Sequence, residues 1–141
     1  MPVDIKQLRE VPFFDIFPKD SALLQFIKSG AWEKYQSAAS IYRAGDPANN
    51  ICVLVVGSVR ISRNKRSLAD IRPNELFGEV SPILRYDRTV DAVAVKDSIV
   101  FKFSMDALEA VALEIRYLLM KYIYETTATR LLTTTSKIVI T

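Results

Sequence analysis

The sequence predicts a mainly β domain flanked by helices. Between about residues 31 and 103, short runs of β-branched and aromatic residues alternate with turn signals. From Met105 onward the apolar period changes to threes and fours, the spacing of a helix face. The 141 residues suffice for one domain with a real core and not for two. No internal repeat or low-complexity linker divides them. The expected organisation is therefore one unit over 1–141: helical over 1–30, β over 31–103, and helical again over 104–138. Many short strands at close spacing fit a sandwich, a barrel or a jelly roll.

Residues 1–30 read as helices with turns, interrupted by the two prolines of PFFDIFP. Asp20 or Ser21 can cap the helix carrying Leu23, Leu24, Phe26 and Ile27, and Gly30 can stop it. Residues 40–42 precede a turn at AGDPANN. The run ICVLVV, 51–56, is a strand with no polar face. Gly57-Ser58 separates it from 59–63, where Val59 and Ile61 alternate with polar residues. NKRS is a turn, 68–72 another short strand, and RPNE another turn. Residues 89–95 alternate with Val90, Ala92 and Ala94 on one face, and Asp97-Ser98 leads to the strand 99–103. Ser104 is the natural cap of the final helical stretch, which carries Leu108, Val111, Ile115, Leu118, Leu119, Tyr122 and Ile123. That stretch is longer than a small β domain needs. It is expected to break once near its start or to extend to meet a partner.

Composition narrows the function. The net charge of +3 is a mild excess, and no Lys/Arg run suggests a nucleic-acid stripe. No apolar run approaches the length of a membrane span. The N-terminal MPVDIKQLRE carries charges where a signal peptide needs an apolar stretch, so a cytoplasmic location is expected. The lone Cys52 forms no disulfide within the chain and reads as a buried, inert thiol. The absence of His removes His-based metal sites and Ser-His chemistry, and a single Cys removes thiolate clusters. No grouping of carboxylates, Lys or Tyr suggests an active site, so the protein is not expected to be an enzyme.

The run from Phe77 to Thr89, FGEVSPILRYDRT, concentrates the remaining chemistry. Arg88 supplies a planar, permanently charged fork that pairs with phosphate oxygens. Gly78 lets the backbone approach a ligand closely. A helical turn over 80–84 would offer free N–H groups to an anion. Glu79 is an acceptor suited to a hydroxyl. A plain ion pair between Glu79 and Arg88 would satisfy the same spacing.

This run resembles the phosphate-binding cassette of cyclic-nucleotide-binding domains, the family shared by catabolite-activator-type regulators, cyclic-nucleotide-dependent kinases and gated channels. The segment IYRAGD, residues 41–46, followed by Asn49 to Gly57 and Val59, resembles the family's first hairpin. VPFFDIF resembles its opening helix and turn, and LADIRPNELFGEV the strand and turn that feed the cassette. The resemblance covers roughly residues 11–135. It implies a β-roll, a double-stranded jelly roll, with N-terminal helices and a long C-terminal helix. The implied ligand is a cyclic purine nucleotide, cAMP or cGMP, with no other cofactor. Phe77, Gly78, Glu79, Val80 and Ser81 would line the ribose side, Arg88 would take the phosphate, and the backbone of Thr89 would lie beside it. Three residues depart from the pattern. Asn74 stands where Gly is common, Pro82 lies inside the short helix, and the Asp87 carboxylate is placed to compete for Arg88. Arg85 is expected to face solvent.

The same resemblance bears on base and partner. Thr89 resembles a guanine selector of the cGMP-dependent kinase branch. ATRLLTTTSKI, 128–138, resembles the dimer helix of the catabolite-activator branch, with Thr134 and Thr135 where a hydroxyl pair contacts adenine. The balance favours cAMP slightly. A homodimer through the C-terminal helix is implied. No helix-turn-helix fits after that helix, so the output is expected on a separate protein or domain, with no role for a membrane. The alternative is a β-roll without ligand that acts as a dimerisation or interaction module. A cupin-type enzyme would need metal-binding His, which the chain lacks.

Overall fold

The computed structural model describes residues 4–140, with side chains as far as Thr133. Three short helices come first: α1 (Ile5–Arg9), α2 (Pro12–Asp15) and α3 (Asp20–Lys28). Six strands follow: β1 (Ala31–Tyr35), β2 (Ser40–Tyr42), β3 (Asn50–Arg63), β4 (Arg66–Ile71), β5 (Leu76–Phe77) and β6 (Asp91–Ser104). Helix α4 (Val80–Leu84) interrupts them between β5 and β6, and α5 (Met105–Glu109) and α6 (Leu113–Ile140) close the chain. All pairings are antiparallel, in the order β1-β6-β3-β4, with β2 also on β6 and β5 on β3. This is the β-roll with flanking helices and a long C-terminal helix that the resemblance implies.

Two corrections concern the strands. The expected break at Gly57-Ser58 is an irregularity inside one 14-residue strand, β3, and the break at Asp97-Ser98 lies inside the equally long β6. The two irregularities face each other. Register shifts occur around Val56 and Ser58, and Ser98 Oγ accepts from the Ser58 N–H while donating to Lys96 O. A local bulge bends both strands together without ending their pairing, which is how a sheet curls into a roll. Strands β1 and β5 were not expected at all. AWEKY has only Trp32 and Tyr35 partly buried, and Leu-Phe is too short for any period.

Alternation along β3 and β6 sorts the core into two layers. Ile51 and Val53, with Phe101 and Phe103, face the helices. Cys52 and Leu54, with Val100, face the inside of the roll alongside Ile41, Tyr42, Val59, Ile71 and Phe77. ICVLVV has no polar face because both of its faces are covered. The outer layer is aromatic: Phe13 stacks on Phe103 at 5.2 Å, and Phe26 lies 5.0 Å from Phe17 and 5.2 Å from Phe103. Each such fully buried side chain contributes about 1.5–3 kcal/mol. Leu119 and Ile123 of α6 join this layer, which seats the first part of the long helix on the roll.

Caps explain the ends. Ser104 Oγ accepts from Ala107 N at 3.1 Å and starts α5, as its position suggests. The helical stretch then breaks once, between Glu109 and Leu113. The expected capping role of Asp20 or Ser21 is not used: Lys19 is the N-cap of α3 and makes no side-chain cap bond. The Asp20 carboxylate instead pairs with Arg9 at 2.7 Å, while Arg9 also donates to Phe14 O and Phe17 O. One guanidinium thus ties together the first three helices.

Candidate functional site

The site is assembled from three parts of the chain. Strand β5 pairs with the middle of β3, Cys52 opposite Phe77 and Val53 opposite Leu76. The turn before it is closed by Asn74 N donating to Leu54 O at 2.7 Å, with Asn74 itself at φ +74°. Asn tolerates that left-handed conformation, so the departure from Gly is accommodated. Beyond Phe77 the chain turns at Gly78, φ +70°, and enters α4. Pro82 lies in the first turn of α4, where its missing N–H would have been unpaired in any case. The helix ends at Arg85 in the left-handed conformation, with Tyr86 N donating to Ser81 O at 3.0 Å. Arg85 is exposed, as expected.

The IYRAGD segment holds Arg88 from below. Arg88 N donates to Asp46 O at 2.8 Å, and Arg88 O accepts from Gly45 N at 2.7 Å. The turn itself is fixed by Asp46 Oδ2, which accepts from Arg43 N, and by Asp91 Oδ1, which accepts from Ala44 N. The main chain of Arg88 is therefore pinned, and its side chain runs inward.

That side chain is only 6% exposed and makes no ion pair among the described residues. Its Nη1 donates to Gly78 O and its Nη2 to Asn50 O, both at 2.7 Å. Its Nε is buried without a partner. Its guanidinium carbon lies 4.0 Å from the centre of the Tyr42 ring. Two carbonyl dipoles and a ring face hold the cation without neutralising it. A buried cation lacking a counter-charge costs several kcal/mol, and an incoming anion would recover much of that. Asp87 is exposed and does not compete. The simple Glu79–Arg88 ion pair is also absent.

Glu79 has other partners. Its carboxylate, buried to 4% exposure, accepts from Thr127 Oγ1 at 2.9 Å and from Arg130 Nη1 at 3.3 Å. Arg130 Nη2 also donates to Leu76 O. Helix α6 therefore reaches the cassette through two side chains. A cavity of about 260 Å³ lies between these groups. Phe77, Gly78, Glu79, Val80, Ser81, Arg88 and Thr89 all line it, and so do Tyr42, Ile61, Ile71 and Arg130. The apolar residues suit a flat ring, and the polar ones suit an anion and a hydroxyl. Thr89 is exposed at its edge. The side chains of Thr134 and Thr135 lie outside the described residues. A larger, more open cleft of about 430 Å³ beside Pro47, Tyr86 and Met105 contains no buried charge and is a less suitable anion site.

Sequence reasoning missed Tyr42, Thr127 and Arg130. A signal for Arg130 was present, because it is the lone charge between Glu125 and Lys137. Tyr42 stood in a recognised segment, but nothing in the sequence said which way its ring turns.

The sequence model of the cyclic nucleotide-binding domain matches residues 32–114, more than half of the chain. The chain belongs to the cyclic nucleotide-binding domain family. No curated protein matches the sequence. Solved structures with the same fold include a candidate cyclic nucleotide-binding protein from Geobacter metallireducens, 21% identical with a TM-score of 0.77, matching 92% of this chain and 99% of that one. The Thermus thermophilus catabolite activator protein is 22% identical, TM-score 0.72, over 91% of this chain and 62% of its own. A regulatory subunit of a cAMP-independent protein kinase A from Trypanosoma brucei is 18% identical, TM-score 0.71, over 84% of this chain and 43% of its own. The domain thus spans less than two thirds of the last two chains. Among the described residues, no helix is long and apolar enough to cross a membrane, and no cluster of His, Cys, Asp or Glu could hold a metal ion.

Proposed function

We propose that this cyclic nucleotide-binding domain is a regulatory receptor for a cyclic purine nucleotide, and that α6 carries its signal. The observation that carries the reading is the buried Arg88 guanidinium, which has no counter-charge among the described residues. A phosphodiester supplies one negative charge at every physiological pH and two oxygens for a planar fork. Glu79 would accept from the ribose 2′-hydroxyl, with the first-turn N–H groups of Val80 and Ser81 and the backbone of Thr89 nearby. The apolar lining would cover the base. The preference for cAMP over cGMP is slight and rests on the likeness of 128–138 to a dimer helix, in which Thr134 and Thr135 fall at the positions of the adenine-contacting hydroxyl pair. Thr89 is the candidate for the opposite preference.

The link from binding to output runs through Glu79. Its carboxylate is held by Thr127 and Arg130 of α6. A hydroxyl arriving at the same carboxylate must share or replace those bonds, so ligand affinity depends on where α6 lies. Such differential affinity is what a ligand needs to shift a conformational equilibrium. The break between Glu109 and Leu113 is the natural pivot. On its outer side α6 exposes Tyr117, Tyr124 and Leu131 at seven-residue spacing, a stripe suited to a second copy of the helix. The output partner would be a separate protein or domain.

A second reading is a dimerisation module that keeps the roll without the ligand. It draws on Glu79 being already satisfied within the chain. Calorimetric titration with cAMP and, in parallel, cGMP separates the two. Micromolar or tighter binding of either supports the receptor. No heat with both, together with an unchanged melting temperature, supports the module.

A further inference from the structure

We infer that Tyr42 is a ligand-binding residue of this site, its hydroxyl donating to the same phosphodiester that Arg88 holds. The inference rests on the receptor reading and adds a residue to it.

Four observations converge on the hydroxyl. Tyr42 is 8% exposed as a residue, and its Oη makes no hydrogen bond among the described residues and is not one of the buried unpaired atoms, so the oxygen opens onto the cavity. A phenol hydroxyl that opens onto a cavity without a protein partner is free to donate to a ligand there. Tyr42 lines the same cavity as Gly78 and Arg88. Its ring is clamped, with the Arg88 guanidinium 4.0 Å from its centre and Phe77 stacked 6.4 Å away at 28°. The hydroxyl therefore stays at one place. That place adjoins Gly78, where an added Cβ would lie 3.3 Å from Tyr42 Oη and 3.0 Å from Arg88 Nη1. The missing side chain of Gly78 thus keeps open the space onto which both the phenol and the guanidinium border.

The chemistry is donation, not proton transfer. Burial pushes the Tyr42 phenol well above its ordinary value, so it keeps its proton. A neutral O–H beside a fixed cation suits an oxyanion with a permanent single charge. A carboxylate or a phosphodiester meets that description, and the flat apolar walls of Ile61 and Ile71 favour the nucleotide. Tyr42 would thus bind the part that cAMP and cGMP share, and would contribute nothing to the choice of base.

The test is Tyr42→Phe, which keeps the ring against Arg88 and removes only the hydroxyl. Loss of a hydrogen bond to a charged acceptor predicts about ten-fold to a hundred-fold weaker binding. The loss should be equal for cAMP and cGMP, with an unchanged melting temperature of the ligand-free protein. The ³¹P resonance of the bound nucleotide should also move between wild type and variant, which a purely packing role would not cause. Equal affinity with an unmoved ³¹P resonance overturns this assignment alone. Loss for one nucleotide only would put the hydroxyl against the base and also overturns it. Absence of binding by the wild type overturns both this inference and the receptor reading.

Discussion

Arg88→Ala separates what the guanidinium does for the fold from what it does for the ligand. Two charge-assisted bonds to Gly78 O and Asn50 O disappear, each worth roughly 1.5–3 kcal/mol. The several kcal/mol spent on burying an unpaired cation disappear with them. The freed carbonyls border a cavity that water can enter. The opposing effects are similar in size, so the ligand-free stability should change by no more than about 2 kcal/mol. Binding has no such compensation. Removing one partner of a buried charge pair weakens it by about 2–5 kcal/mol, or about 30-fold to several thousand-fold.

The assay is thermal unfolding with and without nucleotide. At a ligand concentration of about 100 times Kd, the wild type gains about 2.7 kcal/mol. At about 3–4 °C per kcal/mol for a domain of this length, its midpoint rises by about 8–11 °C. At the same concentration a 30-fold weaker variant gains about 0.9 kcal/mol, or about 3 °C, and a thousand-fold weaker one gains almost nothing. A variant that keeps the full wild-type shift would refute the reasoning, because the uncompensated charge would then not be the anion site.

Other expectations follow from neighbouring contacts. Arg130→Met leaves the buried Glu79 carboxylate with Thr127 alone. It should lower stability to urea by about 1–2 kcal/mol and speed amide exchange in 124–133, since a half-exposed partner gives less than a fully buried one. Unchanged exchange there would mean that the pair does not hold α6. Burial pushes the Cys52 thiol up to about 11. The folded state therefore keeps a proton that the unfolded chain loses above about pH 8.5, so stability is complete below that pH and falls by about 1.4 kcal/mol per unit until about pH 11. Cys52→Ala should remove that part of the alkaline loss, and identical pH profiles for the two proteins would contradict it. The proposed pairing of two copies through the exposed stripe of α6 predicts a dimer in sedimentation that Tyr124→Glu converts to a monomer, with nucleotide affinity moved by no more than a few-fold, and a monomeric wild type would refute that pairing.

The cassette was legible because its chemistry is local. Phe77 to Thr89 are consecutive, and residue type suggests each proposed role: a glycine where the chain turns with positive φ, a carboxylate after it, an arginine before an extended segment. The helical stretch from Met105 was legible from its period and from Ser104. The continuity of β3 and β6 was not. Gly57-Ser58 and Asp97-Ser98 carry turn signals, and only their meeting across the sheet turns two breaks into one bend. Asp20 misled for a related reason: a residue able to cap a helix is also able to pair with a guanidinium, and Arg9 was close enough to take it.

The sequence by itself determined the succession of helical, β and helical stretches, the ligand class that the resemblance implies, and that Glu79 and Arg88 belong to one cassette. Only the tertiary structure decided which charge meets which. Glu79 and Arg88 look like partners at nine residues apart, yet Glu79 takes Arg130, 51 residues away, and Arg88 takes two carbonyls and the ring of Tyr42. Ion pairs are short-range and unspecific in sequence, whereas the seating of α6 on the roll through Leu119 and Ile123 fixes one geometry. That packing brings a cation to Glu79 and leaves Arg88 without a counter-charge among the described residues.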